Sequence, residues 1–308
     1  QGSVRQRRRG QPFSQPPNER PLEGLTLQRI FKMKTKDILK AFPQPEGKIL
    51  RTIDKEACEK AVEQIIAGGK KTVREIVDLI VEPGKGEDVQ PRHALHATAI
   101  RVGGPGNEKN RKAFASHLAS TLSDDRPKAV KGFVIRQLQV CGGIGQASAI
   151  ANFLTDPDDH VYEYAAQALE AIGPETVNHF RKAYPKAKGA PRLTILQGLG
   201  VLRDGDSKDA FRNATKDKDL EIRLAGLWGL MRIASAEDVD LLLTQSVKES
   251  GWGRIKATAY CLELAESLEK KGKNKEARAI YLTIKKTRTE EHEEHLRESA
   301  DRGLARLQ

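Results

Sequence analysis

One pattern occurs twice in this chain and narrows the folds open to it. Residues 156–173 read DPDDHVYEYAAQALEAIG, and residues 217–234 read DKDLEIRLAGLWGLMRIA. In the first copy, Asp156, Pro157 and Asp158 supply turn and helix-start chemistry. Short carboxylates accept from the unpaired N–H groups of a first helical turn, and proline is tolerated only there. Val161, Tyr164, Ala165, Ala168, Leu169 and Ile172 then recur at helical spacing, and Gly173-Pro174 stop the helix. In the second copy Ile222, Ala225, Leu227 and Ile233 take the same stripe. Aligning Tyr162 with Arg223 gives 223 − 162 = 61, two units of about thirty residues. A helix pair of that size cannot bury its apolar faces alone, so it must stack on its neighbours. The predicted fold is all-α: a right-handed α-solenoid of stacked antiparallel helix pairs, with an extended N-terminal tail.

The rest of the chain divides accordingly. Residues 1–21 form a polar, basic tail rich in Arg, Gln, Pro and Gly, which has too little apolar surface to order by itself. It is expected to become ordered only against the solenoid, another copy or another partner. Residues 22–70 read as a helical cap over the first repeat: TKDILKAF ends at Pro43 and Pro45, and DKEACEKAVEQIIA ends at Gly68-Gly69. Residues 71–250 hold the regular hairpins. In these, 72–82 pairs with 91–104, 111–122 with 127–143, 146–154 with 160–172, 175–184 with 191–204, and 209–215 with 219–234. The stretch 236–249 pairs with 251–272, and residues 251–308 add a last hairpin, 275–287 with 293–307.

Composition fits an elongated stack. Only 38% of residues are hydrophobic and 5% aromatic, and the net charge of +11 gives a long-range positive field. A polyanion is therefore a possible partner, and Arg7, Arg8 and Arg9, with Phe13 beyond them, form a candidate binding arm. Cys58, Cys141 and Cys261 fall in different helices and read as small buried hydrophobes. No run approaches the roughly 18 apolar residues of a membrane span. The chain begins at Gln1, the expectation for a mature exported protein (periplasmic or extracellular) or for a trimmed one.

One position of the second helices carries Arg92, Lys131, Tyr162, Arg192, Arg223 and Arg254, with Arg297 following. Such a ladder either ties each repeat to an acidic turn residue of its neighbour, such as Asp125 or Asp217, or lays a basic stripe along one face. The first reading is favoured, because a charge that repeats with the fold usually serves the fold.

Chemistry is harder to find. His93 with His96, and His292 with His295, stand at i, i+3 and lack the HExxH spacing and a third ligand. Neither GGPG at 103–106 nor CGGIG at 141–145 has the strand-to-helix setting of a phosphate loop. No catalytic, cofactor-binding or metal-binding residues are assigned. Trp228 lies in an apolar run and reads as core, whereas Trp252 at a helix start reads as an exposed aromatic.

The pattern of an acidic turn, then V/I-R/K, then A-L-x-x-I-G resembles HEAT repeats of the short phycobilisome-lyase type. The sequence LAESLEKKGKNKEARAIYLTI resembles a tetratricopeptide hairpin. The stretches ALHATAIRVGGPG, DRPKAVKGFVIRQL and RLTILQGLGVLRD are similar to bacterial, planctomycete-type exported HEAT-repeat proteins. The resemblance implies a non-enzymatic scaffold for protein interaction or structural assembly, and docking of the polar tail of one copy on another would make it an oligomer or filament. It also leaves open a nucleic-acid or polyanion binder, and more remotely a DNA-glycosylase-like enzyme or a bilin lyase. The candidate interaction residues are Arg7, Arg8, Arg9, Phe13, Arg92, Lys131, Arg192, Arg223, Arg254 and Trp252.

Overall fold

The computed structural model describes residues 34–46, 49–50 and 54–308. The tail, with Arg7, Arg8, Arg9 and Phe13, lies outside the described residues, as does the start of the cap.

The repeated pattern builds what its caps and stripes dictate. In α7 (Asp159–Ile172) the Asp158 carboxylate accepts from the Val161 N–H at 3.3 Å, and Gly173 leaves the helix at φ 123°, a conformation side chains resist. In α11 (Leu220–Arg232) Asp219 plays the same part, accepting from the Glu221 N–H at 2.9 Å. Val161, Ala165, Ala168 and Leu169 of α7 are buried, as are Ile222, Ala225 and Leu227 of α11, while Ile233 just beyond it is half-buried.

The remaining elements repeat this hairpin. In chain order they are α1 (Thr35–Leu39), α2 (Lys55–Val77), α3 (Val89–Gly103), α4 (Glu108–Ala119), α5 (Lys128–Cys141) and α6 (Ile144–Ala151). After α7 come α8 (Val177–Ala183), α9 (Gly189–Val201) and α10 (Lys208–Ala214). After α11 come α12 (Val239–Lys248), α13 (Gly251–Lys270), α14 (Asn274–Thr287) and α15 (Glu294–Arg306). Each first helix packs on the second helix that follows it. The second helices pack in an unbroken series, α3, α5, α7, α9, α11, α13 and α15. Residues 35–308 are therefore an all-α solenoid of stacked antiparallel helix pairs, with one apolar core shared between neighbours.

Close packing explains the glycines of LAGLWGLM. A Cβ on Gly226 would stand 2.7 Å from the Phe211 carbonyl oxygen, so α10 and α11 can lie this close only with glycine there.

The break expected at Gly68-Gly69 falls at Gly69 (φ 59°, ψ −146°), where the two helical halves of α2 meet at a kink with no loop between them. Glycine permits the break, and the apolar stripes on both sides keep each half on the stack. Between α1 and α2, β1 (Pro45–Glu46) and β2 (Ile49–Leu50) pair as a two-residue antiparallel ladder, a small exception to the all-helical reading.

The corners between repeats use one device. Arg203 and Ala234, 234 − 203 = 31 residues apart, are the two non-glycine residues with left-handed φ, 53° and 51°, among the described residues. Asp204 then accepts from the Ser207 hydroxyl, and in the next repeat the Ser235 hydroxyl donates to Asp238 at 2.6 Å. Acid and hydroxyl have exchanged places between the two corners. In each, an arginine of the repeat's first helix holds the acid: Arg181 Nε donates to Asp204 and Arg212 Nε to Asp238, both at 2.6 Å. Arg111 of α4 serves the equivalent end of α5, donating to the Cys141 carbonyl at 3.0 Å. After α7 the Thr176 hydroxyl takes the place of an arginine and donates to the Leu169 carbonyl at 2.9 Å.

Near the C-terminal end, Arg288 is fully buried. It donates to the Thr258 hydroxyl at 3.0 Å and to the Ser246 carbonyl and hydroxyl at 3.0 and 2.9 Å, joining α12, α13 and the end of α14. All three cysteines are free. Cys141 and Cys261 are buried, and burial pushes their thiols up to about 12 and about 11, out of the reactive range.

Candidate functional site

The ladder residues stand near the N-terminal ends of the second helices, and three of the seven, Arg192, Arg223 and Arg254, hold the next repeat. Arg192 donates to Asp217 at 3.1 Å and to the Tyr184 hydroxyl at 3.2 Å. Arg223 reaches Glu249 at 2.6 Å and the carbonyls of Asp217 and Lys218 at 3.0 Å. Arg254 meets Glu293 at 2.6 Å and the Thr287 carbonyl at 3.0 Å. Arg297 is bound by the carbonyls of Arg288 and Glu290. Arg92 turns back to Asp88 and the Val81 carbonyl, each at 2.8 Å, with its guanidinium 4.8 Å from the Phe133 ring centre.

Lys131 corrects the ladder. It makes no ion pair among the described residues; its ammonium lies 5.9 Å from the Phe153 ring centre. The bridge to the next turn comes from Lys128, one helical turn earlier, which pairs with Asp156. Tyr162 is buried, so the ladder has no charge at that step. Asp125 is exposed and not the partner foreseen; on that turn Asp124 receives Arg74 at 2.6 Å and Arg126 at 3.1 Å.

One turn further along the second helices runs a different row: Arg136, Gln167, Gln197 and Trp228, at spacings of 31, 30 and 31. Arg136, Gln167 and Gln197 are exposed, whereas Trp228 is half-buried and packs against the edge of the core, so its assignment to the interior holds in part. Its ring packs on Gly200, where a Cβ would come within 2.5 Å of it, and the Arg232 guanidinium lies 5.5 Å from its centre.

Gln167, Gln197 and Trp228 line a groove of about 530 Å³ that crosses α7, α9, α11 and α13. Thr194, Val201 and Tyr260 share it, and so do three carboxylates, Glu163, Glu170 and Glu221. None of the three has a cation among the described residues. Burial without a partner lifts the Glu170 carboxyl to about 7. The Tyr260 hydroxyl is also raised, first by burial and then by the charges of Glu263 and Glu221.

The same face changes sign toward the N-terminal end. A smaller groove of about 330 Å³ between α3 and α5 is lined by Arg92, His93, His96, Phe133 and Arg136. His96 Nδ1 lies 2.9 Å from the Gln137 side-chain oxygen. His292 and His295 are exposed on and before α15. Among the described residues no three His, Cys, Asp or Glu side chains converge as a metal site would require. No described helix is long and apolar enough to cross a membrane. Trp252 is 57% exposed, with the Lys256 ammonium 4.7 Å from its ring centre.

Sequence reasoning missed the groove because Trp228 lies within the apolar run LAGLWGLM. The available signal was register: counting five residues on from each ladder position puts amides at 167 and 197, where an inward position would be apolar.

The fold places the chain among helical-repeat proteins. No family model matches it, and no curated protein does. Among solved structures it is similar to the complex of CpcE and CpcF of phycocyanin lyase from Nostoc sp. PCC7120, at 17% identity over 77% of this chain and 88% of that one, with a TM-score of 0.39. It is also similar to a designed armadillo repeat protein, at 17% identity over 77% of this chain and 100% of that chain, with a TM-score of 0.33. A second designed armadillo repeat protein, in complex with the peptide (KR)4, matches at 18% identity over 77% of this chain and 99% of that one, also with a TM-score of 0.33.

Proposed function

We propose that this protein is a non-enzymatic scaffold that holds an extended segment of a partner protein along the face of its second helices. The observation that carries this reading is the groove across α7, α9, α11 and α13. Its lining combines amides that can bond a peptide backbone, aromatic and aliphatic surface, and carboxylates. These are the groups that recognise a chain segment, and they are spread over four helices rather than converging on one reacting atom. The ladder argues against a basic stripe for polyanions, because Arg92, Arg192, Arg223 and Arg254 are engaged by carboxylates and carbonyls of the stack itself. The finer parts of the reading are a HEAT-type repeat of bacterial kind, a tetratricopeptide-like last hairpin, and assembly of copies through residues 1–21.

A random-peptide library displayed on phage and panned on the full chain tests the scaffold reading. Enriched clones should lose binding to Gln197→Ala and Trp228→Ala and keep binding to Asn178→Ala, on an exposed position of the first helix α8. Clones with the opposite dependence, or no enrichment, would refute it. For assembly, deleting residues 1–21 should lower the particle mass.

A further inference from the structure

We infer that the groove across α7, α9, α11 and α13 takes a Lys- or Arg-rich extended segment of a partner protein. The inference rests on the scaffold reading and names its ligand class. Its ground is an inversion of charge. The chain carries an excess of eleven cations, and the arginines described between repeats meet carboxylates or carbonyls. Yet Glu163, Glu170 and Glu221, which line one groove, have no cation beside them among the described residues. Carboxylates that line a groove without counter-charge are groups a cationic ligand can pair with. Trp228 and Tyr260 line the same groove. A ring face and a nearby carboxylate attract an ammonium or guanidinium together, and the Arg232 guanidinium over Trp228 is an internal example.

The dimensions suit a peptide rather than a compact ligand. Four packed helices at about 8–10 Å spacing span roughly 25–30 Å. An extended chain covers that in about eight residues at ~3.4 Å each. Gln167 and Gln197, one helix apart, can bond its backbone at about every third residue.

The test uses the full chain with Trp252→Phe, which leaves Trp228 as the one tryptophan of the two. Three peptides of about ten residues are titrated against it: one alternating Lys with Ser, one alternating Glu with Ser, and one of Gly and Ser. The Lys peptide should change Trp228 emission with saturation, and its affinity should fall as salt rises. Neutralising the groove in Glu163→Gln/Glu170→Gln/Glu221→Gln should weaken it about ten- to thirty-fold, at a few-fold per carboxylate. Circular dichroism checks that the variant is folded. If the Glu or Gly-Ser peptide saturates Trp228 equally well, or the triple variant binds the Lys peptide unchanged, the charge assignment falls and the scaffold reading stands. If no peptide binds and library panning also yields no groove-dependent clone, both fall.

Discussion

Replacing Glu170 by glutamine should stabilise the protein above neutral pH and leave it unchanged in mild acid. Glu170 titrates near 7 in the fold against 4.5 for an ordinary glutamate. Between those values the folded chain binds more protons than the unfolded chain, so stability falls as pH rises through the window. At pH 8 the full difference between the two values corresponds to roughly 3 kcal/mol against the ionised carboxyl. The groove is open to water, and solvent screening reduces this to about 1–2 kcal/mol. The groups lining the groove around it, Glu163, Gln167, Thr194, Gln197 and Glu221, include no cation that would offset the cost. A neutral amide at this position carries no such penalty. For a chain of this size the variant should therefore melt about 2–4 °C higher at pH 8, with the gain shrinking toward zero near pH 4.5. Thermal melts at about pH 5 and about pH 8, on either side of the titration, measure both. A variant no more stable than the parent in the alkaline melt, or one stabilised equally in both, would refute the reasoning.

Other substitutions probe the stack. Arg288→Met should destabilise by about 3 kcal/mol in denaturant melts, because it strips Ser246 and Thr258 of a buried donor. Gly226→Ala should cost about 2 kcal/mol by forcing α11 away from the Phe211 carbonyl, whereas Gly145→Ala, with open space around its Cβ, should be near neutral. Arg223→Ala should lower stability by about 1 kcal/mol and Lys131→Ala by much less, since only the former leaves a carboxylate of the next repeat unpaired. Double-mutant cycles of Arg223 with Glu249 give the coupling directly. Cys141 and Cys261 should resist alkylation until the protein unfolds, with Cys58 reacting first.

Much of the architecture is legible because its signals are local. Asp158 and Asp219 cap helices from the turn before them, and the spacing of Val161, Ala165 and Leu169 dictates which side of α7 is covered. Lys131 could not be placed this way. Whether it or Lys128 reaches Asp156 depends on the rotation of α5 against α7, which a repeat alignment does not contain. The same holds for Arg181 and Arg212. Each finds its acid 23 or 26 residues away, at a corner where serine and aspartate have traded positions, so no fixed motif marks the pair. Gly69 reads as a stop in the sequence and is a bend in the fold, since a positive φ interrupts a helix without deciding where the chain goes next.

The exchanged corners have a consequence for how such a chain can change length. One end of each of these two modules is defined by a bent residue, a carboxylate, a hydroxyl and an arginine from its own first helix, and the acid stands on either side. A block of 31 residues beginning after Ala234 meets the same fittings as one beginning after Arg203. Duplicating 204–234 in tandem should thus give a longer rod that folds without redesign of its joints, with the groove across its second helices extended by the width of one helix.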